Sequence, residues 1–196
     1  MGAIKNLNGV CKVTPGTGVT VLIIAANDLT SEPKTVAEIG AAGLIADPIV
    51  PYTAVAGDKV VLGEEFTYKS GAKWAKFTVV PDSGQVMADS VGDRGFEAYE
   101  NGFKGMVKGV GVAQREWAES ITDSCGGAVV LVQNRKGDWE KLGSKISPVT
   151  VKFKFDTGFK AGDKQGVELE IKDTSGLIYR TMPASLLDVA TEVLPD

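Results

Sequence analysis

Two short runs near the C-terminal end constrain this chain more than any other feature. In Val149–Phe155, Val149, Val151, Phe153 and Phe155 alternate with Thr150, Lys152 and Lys154. In Val167–Lys172, Val167, Leu169 and Ile171 alternate with Glu168, Glu170 and Lys172. A period of two puts successive side chains on opposite faces of a strand, so each run reads as a half-buried strand with one wet face. The Gly-rich link Thr157–Gly166 lets the two pair as antiparallel neighbours. Lys152 and Lys154 then face Glu168 and Glu170, and each opposite-charge pair contributes roughly 0.2–1 kcal/mol.

The rest of the chain reads as short strands punctuated by turns. Val19–Ala25 and Ala128–Gln133 are continuous apolar runs, the pattern of strands covered on both faces. Asn134-Arg135-Lys136-Gly137 turns the second run back into Asp138–Leu142. Lys59–Tyr68 and Lys73–Val80, separated by Lys69-Ser70-Gly71-Ala72, are expected to form a hairpin. Gln85–Val91 is another expected strand, followed by the turn Gly92-Asp93-Arg94-Gly95. Phe96–Val110 is ambiguous, because Gly102, Gly105 and Gly109 weaken both helix and strand. One amphipathic helix is expected over Val112–Ser124, with Ala113, Trp117 and Ile121 on its apolar stripe, ended by Gly126-Gly127. Shorter helices are expected over Thr35–Ala42 and Ala184–Val193.

These elements make a mainly β fold, a β-sandwich or barrel, with one amphipathic α-helix packed on the sheet. Residues 1–18 read as an N-terminal arm, and residues 19–196 as a single β-rich domain. A long loop at 27–58, broken by Pro33, Pro48 and Pro51, carries Val36, Ile39, Leu44, Ile45, Ile49 and Val50. A free loop with that many apolar side chains would expose a patch that soluble monomers avoid. The arm and the loop are therefore expected to make most of their contacts with neighbouring copies.

Chemistry is harder to find. The sequence has no histidine, which removes the commonest general base and metal ligand. Ser-His-Asp and Cys-His nucleophile systems are excluded, as are histidine-containing zinc sites. Thr14-Pro15-Gly16-Thr17-Gly18 lacks the lysine of a phosphate-binding loop. Gly109-Val110-Gly111-Val112-Ala113-Gln114 lacks the third glycine of a dinucleotide fingerprint, with no convincing strand leading in. Glu64-Glu65, read as adjacent in a strand, point to opposite faces. Glu97 with Glu100, and Glu116 with Glu119, would share helical faces and read as solvated. Asp156, Asp163 and Asp173 read as turn residues; a calcium site at the Asp156/Asp163 loop is conceivable but lacks the EF-hand pattern. Trp117 reads as core, while Trp74 and Trp139 are open to a carbohydrate-stacking role. No catalytic, cofactor-binding or metal site is assigned. Cys11 and Cys125 read as two thiols rather than a disulfide framework, with their redox state open.

The net charge of −4 argues against a general nucleic-acid binder. Met1–Pro15 has no apolar core of a secretion signal, and Val19–Ala26 is too short to cross a membrane.

The segments Gly127-Ala128-Val129-Val130-Leu131-Val132-Gln133-Asn134, Leu142-Gly143-Ser144, Phe155-Asp156-Thr157-Gly158 and Gly166-Val167-Glu168-Leu169, together with the order of elements, resemble the tail-tube subunits of long-tailed bacteriophages. Their style is similar to virion proteins of phages with Bacteroidetes hosts. The resemblance covers roughly the last third of the chain and has no residue motif to transfer. It implies a structural virion protein with no enzyme activity, assembled in the host cytoplasm. Its partners would be itself, in a ring that is commonly hexameric and stacks into a tube, and other tail proteins; DNA would pass without specific binding, and no membrane is involved. The alternatives are another virion component (capsid decoration or head completion), a carbohydrate-binding β-sandwich module, and an enzyme using carboxylates only.

Overall fold

The computed structural model describes residues 20–35, 38, 60–93, 98–123, 126–134, 137–157, 165–183 and 185. Among the described residues, the strands and α-helix seen whole run in the order β1 (Thr20–Ala25), β2 (Leu29–Ser31), β3 (Thr67–Tyr68), β4 (Ala75–Thr78), β5 (Gln85–Val91), β6 (Ala98–Lys108), α1 (Val112–Thr122), β7 (Ala128–Gln133), β8 (Trp139–Leu142), β9 (Thr150–Asp156), β10 (Gly166–Gly176) and β11 (Arg180–Met182). They form three antiparallel sheets: five strands in the order β11-β8-β7-β1-β4, four in the order β5-β6-β10-β9, and the β2-β3 pair. The mainly β, sandwich-like fold expected from the sequence is the one observed.

The two sequence patterns mark two different environments. The central strands of the five-stranded sheet, β1 and β7, are buried on both faces. Val21 and Ile23 of β1, with Val130 and Val132 of β7, point into an inner core shared with Phe103, Leu169 and Ile171 of the four-stranded sheet. Leu22, Ile24, Val129 and Leu131 point the other way, into an outer core with Leu29, Leu62, Phe66 and Trp74. A strand covered on both sides has no position for a polar residue, so its sequence runs on without alternation. The four-stranded sheet buries only one face and therefore alternates. Its β9–β10 register sets Phe153 opposite Leu169, Lys154 opposite Glu168 and Lys152 opposite Glu170, as expected. Lys154 reaches Glu168 at 3.2 Å. Glu170 instead bonds Lys104 of β6, also at 3.2 Å, and that cation holds its carboxyl below the usual range.

α1 closes the space between the sheets. Trp117, Ala118 and Ile121 are buried, and the Trp117 ring meets Phe77 at 4.8 Å and Phe153 at 5.5 Å, both edge-on. Ala113, expected on this stripe, is exposed; Ala118 takes its place, because the buried face curves toward the C-terminal half of the helix.

The ambiguous stretch is β6, an eleven-residue strand in the middle of its sheet. Gly105 is required there: a Cβ at this position would lie 2.8 Å from the Phe103 ring and 2.9 Å from Val79 Cγ1. The residue that weakens the strand signal is the one that lets β6 approach the end of β4, where the Val80 N–H donates to the Met106 carbonyl at 2.7 Å.

The expected hairpin of Lys59–Tyr68 with Lys73–Val80 does not form. Lys69–Ala72 is a turn, closed by the Ala72 N–H on the Lys69 carbonyl at 3.0 Å, but β3 pairs with β2 and β4 with β1. Phe66, Tyr68 and Trp74 pack together over the outer core, Trp74 Nε1 donating to Tyr68 Oη at 2.8 Å.

The arm, Cys11 and Cys125, Thr14–Gly18, the helix expected over Ala184–Val193, Glu97, Asp163 and most of the loop lie outside the described residues. So does most of the Thr35–Ala42 helix, but its start is visible: the Thr35 N–H donates to Glu38 Oε2 at 2.7 Å and the Glu38 N–H to Thr35 Oγ1 at 3.2 Å. This reciprocal pair is a capping box.

Candidate functional site

Three surfaces position polar or reactive groups. The first is a cavity of about 190 Å3 at one end of the sandwich, bordered by Glu32, Lys141, Asp173 and Arg180. Lys141 on β8 and Arg180 on β11 are direct cross-strand partners, so two cations stand side by side. The segment after β2 brings the counter-charges. Glu32 Oε2 lies 3.2 Å from Lys141 Nζ, and Glu38 Oε1 lies 3.7 Å from Arg180 Nη2. Glu32 also accepts from the Lys145 N–H, and the Thr30 carbonyl accepts from Lys145 Nζ at 3.0 Å. Burial pushes the Lys141 ammonium below its usual range, and Glu32 opposes that push.

Behind this cluster Asp173 is buried, not a turn residue as expected. It sits at an irregularity of β10, accepting from Gly143 N–H at 3.1 Å, Ser175 N–H at 2.9 Å and Asn101 Nδ2 at 3.3 Å. Asn101 passes the network on, donating to the Leu177 carbonyl at 2.5 Å and accepting from the Tyr179 N–H at 3.2 Å. The bonds of Asp173 and Asn101 hold strands and loops together. Asp173 is held by three donors and Lys141 by Glu32. The cluster also ties Asn27–Thr35 to its own sheets, which corrects the expectation that residues 27–58 contact mainly other copies, for the part described: Leu29 is fully buried and Thr35 nearly so.

The second surface is the outer face of the four-stranded sheet. A trough of about 570 Å3 crosses it, lined by Lys104, Lys152 and Lys154 alternating with Glu168 and Glu170. Opposite charges alternate across the strands, in the rows Lys104–Glu170–Lys152 and Glu168–Lys154, so no uniform field builds up to hold a phosphate or a cation.

The third is a groove of about 880 Å3 between α1 and the free edge of β9, floored by Ala118, Val151, Phe153 and Phe155 and rimmed by Arg115 and Glu119. Phe155, expected to point inward, is 42% exposed here. No described strand pairs with this edge of β9, nor with the outer edge of β5 at the other side of the sheet.

The remaining expected candidates scatter. Glu64 and Glu65 lie outside any strand; the Glu64 carboxylate accepts from the Lys34 N–H at 3.3 Å. Glu100 is on β6 rather than a helix, facing Asp89 across the strands. Glu116 and Glu119 are exposed on α1. Trp74 and Trp139, like Trp117, are buried, so none of the three tryptophans offers a sugar-stacking face. A strand does lead into Gly109–Gln114, contrary to expectation, but β6 is antiparallel to its neighbours, so the helix after it belongs to no parallel crossover. No group of three or more Asp, Glu, Cys or His side chains suited to a metal ion occurs among the described residues, and none of their helices is long and apolar enough to cross a membrane. The Lys141–Asp173 network and the α1–β9 groove went unnoticed in the sequence. Only the Lys141–Glu32 pairing across a hundred residues would have disclosed the first, and nothing local signals it.

Comparison of the chain with family models, with curated proteins and with solved structures finds no match.

Proposed function

We propose that this protein is a self-assembling structural subunit, of the tail-tube type that its C-terminal third resembles, whose copies close into rings and stack into a tube that DNA traverses. The observation that carries this reading is the order of the four-stranded sheet, in which β5 and β9 are the outer strands and no described strand pairs with their outer sides. An edge strand offers a row of free N–H and C=O groups, which soluble proteins usually blunt or cover. Two such edges on one sheet favour a head-to-tail contact, and a contact of that kind closes into a ring when its rotation permits. The alternating Lys and Glu of the outer face agree with a wall that phosphate slides along without sticking.

The test is assembly itself. Purified protein is followed across a concentration series by size exclusion with light scattering and by negative-stain microscopy. Rings or tubes are the expected outcome, with no retention on DNA or on immobilised glycans. A species that stays monomeric at high concentration defeats the reading, and a glycan-binding monomer replaces it with the carbohydrate-module alternative.

A further inference from the structure

Resting on the assembly reading above, we infer that β9 of one copy pairs antiparallel with β5 of the next in a single full-length register, with Lys152 opposite Asp89 of the second copy. The two strands are each seven residues long, Gln85–Val91 and Thr150–Asp156. Aligned end to end and antiparallel, Gln85 meets Asp156 and Val91 meets Thr150. The facing of the side chains is then correct throughout: wet-face residues meet wet-face residues, and core-face residues meet core-face residues.

Charge selects this register. On the wet face of a single subunit Asp89 stands directly opposite Glu100, a like-charge pair that is unfavourable across strands. Neither carboxylate has an ion pair among the described residues, and Lys152 has none either. The contact brings that lysine to that aspartate. A slip of two residues one way leaves Lys152 opposite Met87 and Asp89 opposite Thr150; a slip the other way sets Asp89 opposite Lys154, which Glu168 already holds, and leaves Lys152 opposite Val91. On the other face, Val86 meets Phe155 and Ala88 meets Phe153, laying small side chains over the floor of the α1–β9 groove.

Geometry gives an independent reason. Within one subunit Gln85, Lys104, Glu170 and Lys152 lie on one cross-strand row. Across the contact Lys152 meets Asp89, four residues further along β5 than Gln85. Four residues of stagger accumulate over four strands, one residue per strand. A closed barrel with shear equal to its strand number tilts its strands by about 36°, inside the roughly 35–45° at which barrels close.

Cysteine cross-linking reads the register directly. In a background with Cys11→Ser and Cys125→Ser, Asp89→Cys combined with Lys152→Cys should give a ladder of covalent oligomers on mild oxidation. Met87→Cys combined with Lys152→Cys should not. Charge reversal tests the same pair without sulfur chemistry. Asp89→Lys or Lys152→Glu alone should raise the concentration needed for half-assembly at least about tenfold, and the double reversal should restore it, with thermal unfolding of the subunit unchanged in each. Assembly of the native protein with a ladder from the Met87 pair, or with no loss in either reversal, overturns this register while leaving the assembly reading in place. A native protein that never assembles overturns both.

Discussion

At the scale of single residues, the most informative group is Lys141. Its side chain is 5% exposed and its partner Glu32 26% exposed, with Arg180 beside them on the next strand. Removing one member of a buried pair leaves a charge without compensation, which costs about 3 kcal/mol or more, whereas an apolar replacement of both is often nearly neutral. Glu32→Ala is therefore expected to lower the urea midpoint steeply, and Glu32→Leu with Lys141→Met to recover most of the loss. The pH dependence has two parts of opposite origin. Glu38 is held below its ordinary 4.5, first of all by the Thr35 N–H. Its contribution is present above the unfolded value and disappears as pH falls through the folded one. Lys141 is pushed down from 10.5 by burial, so the unfolded chain binds more protons between the folded value and 10.5. Stability from this group rises with pH across that alkaline window. In Lys141→Met the alkaline rise should vanish, as measured by denaturant titration at successive pH values, while the acid limb through Glu38 persists.

Among the elements, α1 is the one whose sequence and structure agree on purpose and differ in detail. Trp117 is 1% exposed and its Nε1 meets no acceptor among the described residues. Trp117→Ala should cost about 3–5 kcal/mol by calorimetry or denaturant unfolding. Trp117→Phe should cost much less, because the lost N–H had no bond to lose. The strands legible in the sequence include β1, β5, β7, β8, β9 and β10; β1 and β7 have two dry faces, and β9 and β10 alternate between a core face and a wet one. Those that were not legible owe their shape to distant partners. β6 carries Gly105 because Val79 and Phe103 crowd it, and the aromatic side chains in and around β3 pack onto the outer core. The Lys141–Asp173 network was invisible for the same reason: its members come from β2's exit, β8, β10 and β11, and no spacing along the chain connects them. The edges and the groove beside β9 could be anticipated only once the strand order was known.

For the molecule as a whole, the five-stranded sheet is the shared wall of two cores, so neither core can be lost without exposing one face of the other. Trp117 reports on the inner core, and Trp74 and Trp139 on the outer. Within each single-tryptophan variant the fluorescence midpoint should therefore coincide with the midpoint by far-UV circular dichroism, as in a two-state domain. A fluorescence midpoint below the circular-dichroism midpoint in the variants that keep Trp74 or Trp139 would mean that the outer layer melts as a unit of its own. The outer layer also decides where the chain can vary. Thr35 pairs with Leu62, the Gly63 N–H donates to the Lys34 carbonyl at 3.0 Å, and residues 60–62 run alongside Thr181. The chain thus departs after Thr35 and comes back beside it, like a road that leaves and rejoins a junction at the same corner. Because the two ends sit side by side, a sequence inserted between them beyond Glu38 would leave and return at one corner without asking the sheets to move. That makes this corner a natural port for displaying a tag or a cargo domain on every copy of the protein.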